Sequence, residues 1–177
     1  MINRLSWDEY WLNMVYFIAS RSTDENTHIG AVCVNSDNIL VSIGYNGFCR
    51  GADDGNEKRQ LRPEKYNYFE HAERNAIFSA ARIGTSLRDC TMYTNGIPCV
   101  DCARGIIQVG IKTVVVDKNW DENRSNIYNE TWEKLLVITK QLFKEHHVNL
   151  ISIDVARPLI QIDTLMSNSP LSVDIKK

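Results

Sequence analysis

Residues 90–117 read CTMYTNGIPCVDCARGIIQVGIKTVVVD, a stretch in which two strand-like runs enclose one helix-like run. Cys90–Thr94 is a short strand-like run, and Ile111–Asp117 has the nearly continuous apolar centre of a strand covered on both faces. Between them, Pro98 stands where a helix begins and Gly110 where it has just ended, the positions that these residues prefer. The stretch therefore predicts a strand, a helix and a second strand of an α/β fold.

Similar patterns continue on both sides of this stretch. Near the start, Ser6 and Glu9 have the spacing of a capping box, and apolar residues follow at helical spacing to about Ser20. The remaining patterns predict strands at 29–34, 39–45 and 148–153 and helices at 70–83 and 131–146. Together they predict a three-layer α/β/α arrangement with a central sheet of about five strands.

Two segments lack such patterns. Residues 47–63 are polar and contain three glycines and a cluster of charges, which predicts a long surface loop. Loops of this length inside a compact domain usually have a function. Residues 156–177 carry two Pro and three Ser and end in Lys-Lys, so we expect residues 1–155 to form one domain and 156–177 a tail without an assigned role.

The composition excludes several classes of protein. The 177 residues include 20 Lys plus Arg and 22 Asp plus Glu, a formal net charge of -2 that disfavours binding to polymeric nucleic acid through its phosphates. No apolar run approaches the ~18 residues of a membrane span, and a signal-peptide core is missing, so we expect no membrane partner and a cytoplasmic location. The five cysteines, an odd number, indicate a reducing compartment and thiols used for metal binding or packing.

Two short motifs carry residue types that bind metal. His-Ala-Glu at 71–73 and Pro-Cys-Val-Asp-Cys at 98–102 each stand at the start of a predicted helix. Cys99 and Cys102 are three residues apart, so their sulfurs lie side by side on one helical turn, where the helix dipole favours thiolates. With His71 as a third ligand, one tetrahedral position stays open, which is typical of a catalytic zinc site.

Glu73 is the residue that favours catalysis over a structural metal site. On a regular helix it points away from His71, so it is suited to carry a proton beside the metal rather than to ligate it. Each motif alone has a common alternative explanation, since Cys-x-x-Cys is often a structural half-site or redox pair and a lone His is usually a hydrogen-bonded polar group. Together the motifs match the H-x-E and P-C-x-x-C signature of zinc deaminases.

The chain resembles the deoxycytidylate (dCMP) deaminase family from about residue 7 to 154. The matching segments are Gly44–Phe48, Arg62–Tyr66, His71–Ile77, Pro98–Ala103 and Gly110–Lys112. The H-x-E and P-C-x-x-C motifs are common to the whole superfamily, whereas the Tyr-Asn-Gly and Lys-Tyr segments are narrower signals. The resemblance implies a cytidine-deaminase-like fold and zinc-dependent hydrolysis of dCMP to dUMP and ammonia, which supplies dUMP for thymidylate synthesis.

The resemblance also implies roles for individual residues. His71, Cys99 and Cys102 would hold one zinc per chain, and Glu73 would be catalytic. The expected substrate-binding residues are Asn46, Ala72, Arg82, Trp120, Asn26 and Thr27. Among these, Arg82 would contact the phosphate or else be an exposed cation at a helix end, and Trp120 stands where relatives often carry Tyr. Asn26 and Thr27 would bond to the substrate or only shape their loop.

Regulation and assembly follow from the same resemblance. Many family members are homohexamers that dCTP activates and dTTP inhibits, with magnesium accompanying the effector. The loop at 47–63 would hold such a triphosphate through its cations, which are Arg50, Lys58, Arg59 and Arg62. Two alternatives remain: a deaminase of cytidine, guanine or tRNA adenosine, and an inactive zinc-stapled binding module. The near-neutral charge weighs against tRNA, and Glu73 weighs against the inactive module.

Overall fold

A mixed sheet of five strands lies at the centre of the computed structural model of the chain. The structure describes residues 4–53, 55–124, 130–155, 160–162 and 173–175. In chain order the elements are α1 (Trp7–Ala19), β1 (Gly30–Val34), β2 (Leu40–Tyr45), β3 (Gly47–Phe48), β4 (Phe69–Glu70), α2 (Ala72–Ile83), β5 (Thr91–Thr94), α3 (Val100–Gln108), β6 (Thr113–Asp117), α4 (Lys118–Arg124), α5 (Glu130–Glu145), β7 (Asn149–Ile153), β8 (Ile160–Ile162) and β9 (Val173–Ile175), with short 3-10 helices at Glu57–Gln60 and Glu64–Asn67.

The strand order of the central sheet is β2-β1-β5-β6-β7. β1 pairs antiparallel with β2 and β5, whereas β5, β6 and β7 pair in parallel. The parallel half follows from the two connections that contain helices, α3 between β5 and β6 and α5 between β6 and β7, since parallel strands need a crossover. The predicted α/β fold with a central sheet of about five strands is confirmed.

Helices cover both faces of the sheet and divide the core into two clusters. On one face, α1 buries Leu12 and Val15 against Val32 and Val115 of the sheet. On the other face, side chains from α2, α3 and α5 pack with the sheet, and they include Ala72, Ala76, Ala80, Ala103, Ile106 and Phe143. Within the described ranges, no helix combines the length and apolar character that crossing a bilayer requires.

Two helices begin later than the sequence pattern indicated. α2 begins at Ala72 rather than at residue 70, because Glu70 pairs with Gly47 in the two-stranded sheet of β3 and β4. α3 begins at Val100 rather than at Pro98. As a consequence, His71 and Cys99 occupy the N-cap positions of α2 and α3.

Three further differences concern segments that the sequence analysis left without regular structure. The predicted loop at 47–63 contains β3 and a 3-10 helix, and α4 follows β6 where no helix was predicted. In the predicted tail, β8 and β9 pair antiparallel, while the other residues of 156–177 lie outside the described residues. These elements are short, and short elements leave little periodicity to read in a sequence.

Gly44 sets the close packing of α2 on β2. A Cβ at this position would lie 2.2 Å from the Ala72 carbonyl oxygen and 2.3 Å from the Ala76 nitrogen, so it could fit only if the helix moved. Since overpacking typically costs about 1–3 kcal/mol, we expect Gly44→Ala to lower the free energy of unfolding by about 3 kcal/mol, measured by urea denaturation. The control is Gly55→Ala, where the Cβ meets only the Asp53 carboxylate at 3.3 Å. Equal unfolding midpoints for the two variants would contradict the packing described.

Candidate active site

The first turns of α2 and α3 bring three metal-binding side chains together. His71 Nδ1 lies 3.4 Å from Cys99 Sγ and 3.5 Å from Cys102 Sγ. The three potential ligand atoms all lie within 4.8 Å of one another. His71 and Cys99 are N-cap residues, and Cys102 is in the first turn of α3, where it is fully buried.

The geometry of this group fits tetrahedral zinc. Zinc bonds of about 2.3 Å to sulfur and about 2.0–2.1 Å to nitrogen, at a tetrahedral angle, separate sulfur from nitrogen by about 3.5 Å. The observed separations of 3.4 and 3.5 Å agree with that value. Two thiolates and one imidazole are ligands that suit zinc, and three protein ligands leave a position for water or substrate.

The electrostatics at Cys99 favour the form that binds metal. The pKa of Cys99 is lowered to about 4, first because the Cys102 side chain is hydrogen-bonded to its sulfur and then because His71 is. Its place at the start of α3 acts in the same direction, since unpaired backbone N–H groups favour negative charge. A thiolate, rather than a thiol, is the species that binds zinc.

Glu73 lies in the first turn of α2 and is only 5% exposed. Burial is the main reason that its pKa is raised above the ordinary value of a carboxyl group. Its side chain lines the same cavity as His71 and Cys99, and that cavity has a volume of about 500 Å³. This volume lies within the range of sites for small molecules.

Two hydrogen bonds that the sequence did not indicate hold the helix starts in place. Asn75 Nδ2 in α2 donates to the Tyr45 carbonyl oxygen at the end of β2, at 2.7 Å. Thr139 Oγ1 in α5 donates to the Pro98 carbonyl oxygen at 3.1 Å, in a buried position just before Cys99. Each bond joins elements distant in sequence, which is why no local pattern predicts it.

Aromatic side chains form much of the cavity wall. Those that line it are Tyr66, Phe69, Trp120 and Trp132. Flat aromatic surfaces of this kind suit contact with a planar ring. Of the predicted substrate-binding residues, Asn46, Ala72, Thr27 and Trp120 line the cavity.

Trp120 is held at the cavity by contacts at the beginning of α4. Asp117, the last residue of β6, accepts hydrogen bonds from Tyr16 Oη at 2.5 Å and from the Asn119 backbone N–H at 2.9 Å. The rings of Tyr16 and Trp120 lie with centroids 6.2 Å apart. These contacts fix the turn that leads from the sheet into α4 and so position the indole.

Asn46 uses its side-chain amide to shape the cavity wall. Its Oδ1 accepts from the Ile29 N–H at 2.7 Å, and its Nδ2 donates to the Thr27 carbonyl at 2.7 Å and to Asp24 Oδ2 at 3.3 Å. Asn26 is exposed, and its backbone N–H donates to Asp24 Oδ1 at 2.8 Å. Asn26 is not among the residues that line the cavity.

A buried ion pair between Asp24 and Lys65 is the main feature of the cavity that the sequence analysis missed. Lys65 Nζ lies 2.7 Å from Asp24 Oδ2, and each side chain is 5% exposed. The ammonium also lies 5.2 Å from the centroid of the Phe69 ring. The only signal in the sequence was that Lys65 belongs to the narrower family motif, because its partner lies 41 residues away.

Removing one charge of this pair is expected to destabilise the fold. An unpartnered buried charge typically costs about 3–5 kcal/mol, so Lys65→Met should lower the free energy of unfolding by about 3 kcal/mol. The control is Lys118→Met, which removes an exposed pair with Glu122 and should cost less than about 1 kcal/mol. Urea denaturation of both variants measures the difference. Equal, small losses of unfolding free energy would show that the buried pair does not contribute to stability.

Arg82, which was expected at the phosphate of a bound nucleotide, is not among the residues that line the cavity. The α-helix rises about 1.5 Å per residue, so Arg82 stands about 16 Å along α2 from His71. It is exposed and lines a separate depression beside β2, together with Arg50. Arg50 donates there to Ser79 Oγ at 2.9 Å. The described contacts therefore leave Arg82 as a cation near the helix end.

Of the four cations expected to bind a triphosphate, Arg50 and Arg62 line different depressions. Arg50 lies at the depression beside β2, and Lys58 is exposed on a 3-10 helix. The guanidinium of Arg59 lies 4.6 Å from the centroid of the Tyr68 ring. Arg62, in contrast, lines the cavity that contains Glu73.

Comparison with known proteins gives concordant matches. Residues 5–118 match the family model described as the cytidine and deoxycytidylate deaminase zinc-binding region. The deoxycytidylate deaminase of Pongo abelii is 40% identical over 129 residues, which cover 68% of this chain and 71% of that protein. The Homo sapiens deoxycytidylate deaminase is 40% identical over 128 residues, with the same coverage.

A structural comparison adds evidence on the fold. The structure of the dCMP deaminase from the cyanophage S-TIM5, in complex with dCMP and dUMP, matches with a TM-score of 0.62. The match covers 82% of this chain and 95% of that chain, at 19% sequence identity. At this identity the similarity shows a common fold.

Proposed function

This chain belongs to the cytidine and deoxycytidylate deaminase family, and on that basis we propose that it hydrolyses dCMP to dUMP and ammonia with the help of zinc. The observation that carries the proposal is that His71, Cys99 and Cys102 form one group beside a cavity that His71, Glu73 and Cys99 line. Its support from relatives is the 40% identity to deoxycytidylate deaminases.

The chemistry requires that an oxygen from water replace the amino group at C4 of the base. His71, Cys99 and Cys102 would hold the zinc, which when bound supplies a Lewis acid that activates water at neutral pH. Glu73 takes up the protons of the attacking water in turn and delivers one to ring N3 and one to the amino group. A C–O bond forms at C4, the C–N bond breaks, and ammonia leaves.

The cavity walls assign further roles within this proposal. The aromatic side chains contact the flat pyrimidine ring and keep bulk water away from it. Asn46, Ala72 and Thr27 line the same cavity and supply polar and backbone groups beside the substrate. The two helix starts, each tied to a neighbouring element by a side-chain hydrogen bond, keep the carboxyl group and the three proposed ligands in fixed relative positions.

Assembly and regulation form a second part of the proposal. By family resemblance, the chain forms a homohexamer in the cytoplasm, residues 1–155 form its catalytic domain, and dCTP with magnesium activates it while dTTP inhibits it. Sedimentation analysis and dCMP turnover with and without the two triphosphates test this part. A monomer whose rate neither triphosphate changes would overturn it without affecting the proposed chemistry.

A panel of substrates tests the proposed function most broadly. The full chain loaded with zinc is assayed for ammonia release from dCMP, deoxycytidine, cytidine, guanine and a tRNA. We expect the highest kcat/KM for dCMP. Turnover of guanine or of the tRNA without turnover of dCMP would replace the proposed function by one of the alternatives. No turnover of any substrate by the zinc-loaded chain would favour a binding module.

A further inference from the structure

We propose that Arg62 binds the 5′-phosphate of the nucleotide and thereby makes the site prefer a nucleotide to a nucleoside. This assignment rests on the proposed function, since a phosphate enters the cavity only with a nucleotide substrate. The sequence had pointed to Arg82 for this role and to Arg62 for an effector site. The positions of the two residues in the structure reverse that assignment.

The first argument comes from the charges around the cavity. Besides His71, which belongs to the metal-binding group, three cationic side chains line it, and these are Arg62, Lys65 and Arg74. The charge of Lys65 is balanced by Asp24 at 2.7 Å. The charge of Arg74 is balanced by Glu70, with which it forms a close ion pair.

Arg62 differs from the other two cations. In the part of the chain that the structure describes, no carboxylate forms an ion pair with its guanidinium. The nearest recorded contact is the ring of Tyr66, whose centroid lies 5.9 Å from the guanidinium carbon. Arg62 therefore retains its charge and its five N–H donors for a ligand.

The second argument comes from the direction in which a nucleotide must lie. The reacting C4 atom has to reach Glu73 and the metal-binding group, of which Glu73 and Cys102 are buried and His71 and Cys99 are partly exposed. The phosphate is the opposite and most strongly hydrated end of the molecule, and burying it without partners would be costly. Arg62 is an exposed residue that also lines the cavity, so it stands at the rim where this end emerges.

The third argument concerns how Arg62 is held. It precedes the 3-10 helix Glu64–Asn67, which the buried Lys65 ties to Asp24 on the facing loop. The Lys65 backbone N–H also donates to the Leu61 carbonyl at 2.9 Å, and this hydrogen bond closes a turn that contains Arg62. A guanidinium on a segment held in this way suits the paired N–H···O contacts that Arg makes with phosphate.

The test compares nucleotide with nucleoside in the full, zinc-loaded chain. For Arg62→Ala, kcat/KM for dCMP is expected to fall roughly 10- to 100-fold, the typical loss when a hydrogen-bonded charge pair is removed. The value for deoxycytidine should stay within about twofold, because no phosphate contact is lost. Calorimetric titration with the products gives a second readout, in which binding of dUMP weakens by the same factor and binding of deoxyuridine does not.

Two other arginines serve as controls. Arg59→Ala removes a cation from the same segment that does not line the cavity, and we expect no selective loss for dCMP. Arg82→Ala tests the residue that the sequence favoured. This variant should lower kcat/KM for dCMP and deoxycytidine equally or not at all. Arg62→Gln keeps a polar, uncharged side chain with part of the aliphatic stem, so it reports on the loss of the guanidinium if the alanine variant folds poorly.

Several outcomes would overturn the assignment. An equal loss of kcat/KM for dCMP and deoxycytidine in both Arg62 variants would show that Arg62 has only a structural role. A loss of kcat/KM that is selective for dCMP in Arg82→Ala alone would show that Arg82 binds the phosphate. A failure of the unmodified chain to convert dCMP would instead overturn the proposed function, and this result is distinguishable because it does not depend on any variant.

Discussion

Glu73→Gln is expected to lower kcat for dCMP by a factor of about 10³–10⁴, at the upper end of what general acid–base catalysis contributes. The amide has nearly the same size as the buried carboxyl group but cannot accept and release a proton. Zinc content and fold should therefore be unchanged. The measurements are the rate of dUMP formation, the zinc content per chain and the far-UV circular dichroism spectrum.

Glu70 provides the matched control for this variant. It is another carboxyl group that lines the same cavity, and it is ion-paired with Arg74. Glu70→Gln should reduce the rate by less than about tenfold, because it carries no proton in the proposed reaction. A rate for Glu73→Gln within tenfold of the unmodified chain would show that another group transfers the protons.

The second large effect is expected when a thiolate ligand is removed. Losing a hydrogen-bond partner of a metal ligand alone costs about 10–100-fold in metal affinity, so loss of Cys102 itself should exceed about 100-fold. Cys102→Ala is therefore expected to lose zinc during dialysis and to show no measurable turnover. Alanine is chosen because Cys102 is fully buried and a serine hydroxyl would need a new partner.

Cys90→Ala is the control for this experiment. Cys90 is also buried, at 3% exposure, but it lies in the hydrophobic core and not in the metal-binding group. This variant should retain one zinc per chain and most of the activity, although it loses some stability. Full zinc content in Cys102→Ala would contradict the proposed ligand set.

The fold was largely predictable because its central elements have strong local patterns. The apolar runs of β1, β6 and β7 and the cap at Ser6 are features of neighbouring residues, and the elements they predicted are present. The predicted deaminase family and α/β class, which also rested on motifs and runs of neighbouring residues, are confirmed. The short elements β3, β4 and α4 were not predicted, since two to seven residues carry too little periodicity.

The residues of the candidate site also fall into two groups, those that local motifs predict and those that only the tertiary fold brings together. The groups at 71–73 and 98–102 could be found because, within each group, the proposed metal ligands and the proposed proton carrier stand within a few residues of each other at a helix start. The pair of Asp24 and Lys65 could not be found, because only the tertiary fold brings these residues together. The cavity position of Arg62 could not be found either, since it depends on how the segment before β4 folds back over the site.

Conversion of dCMP in water labelled with oxygen-18 tests the central claim most directly. The zinc-loaded chain is incubated with dCMP, and the products are separated and analysed by mass spectrometry. The proposed function predicts one ammonia and one dUMP for each dCMP consumed, with the labelled oxygen at C4 of the uracil. Unchanged dCMP in the presence of a chain that retains its zinc would contradict it.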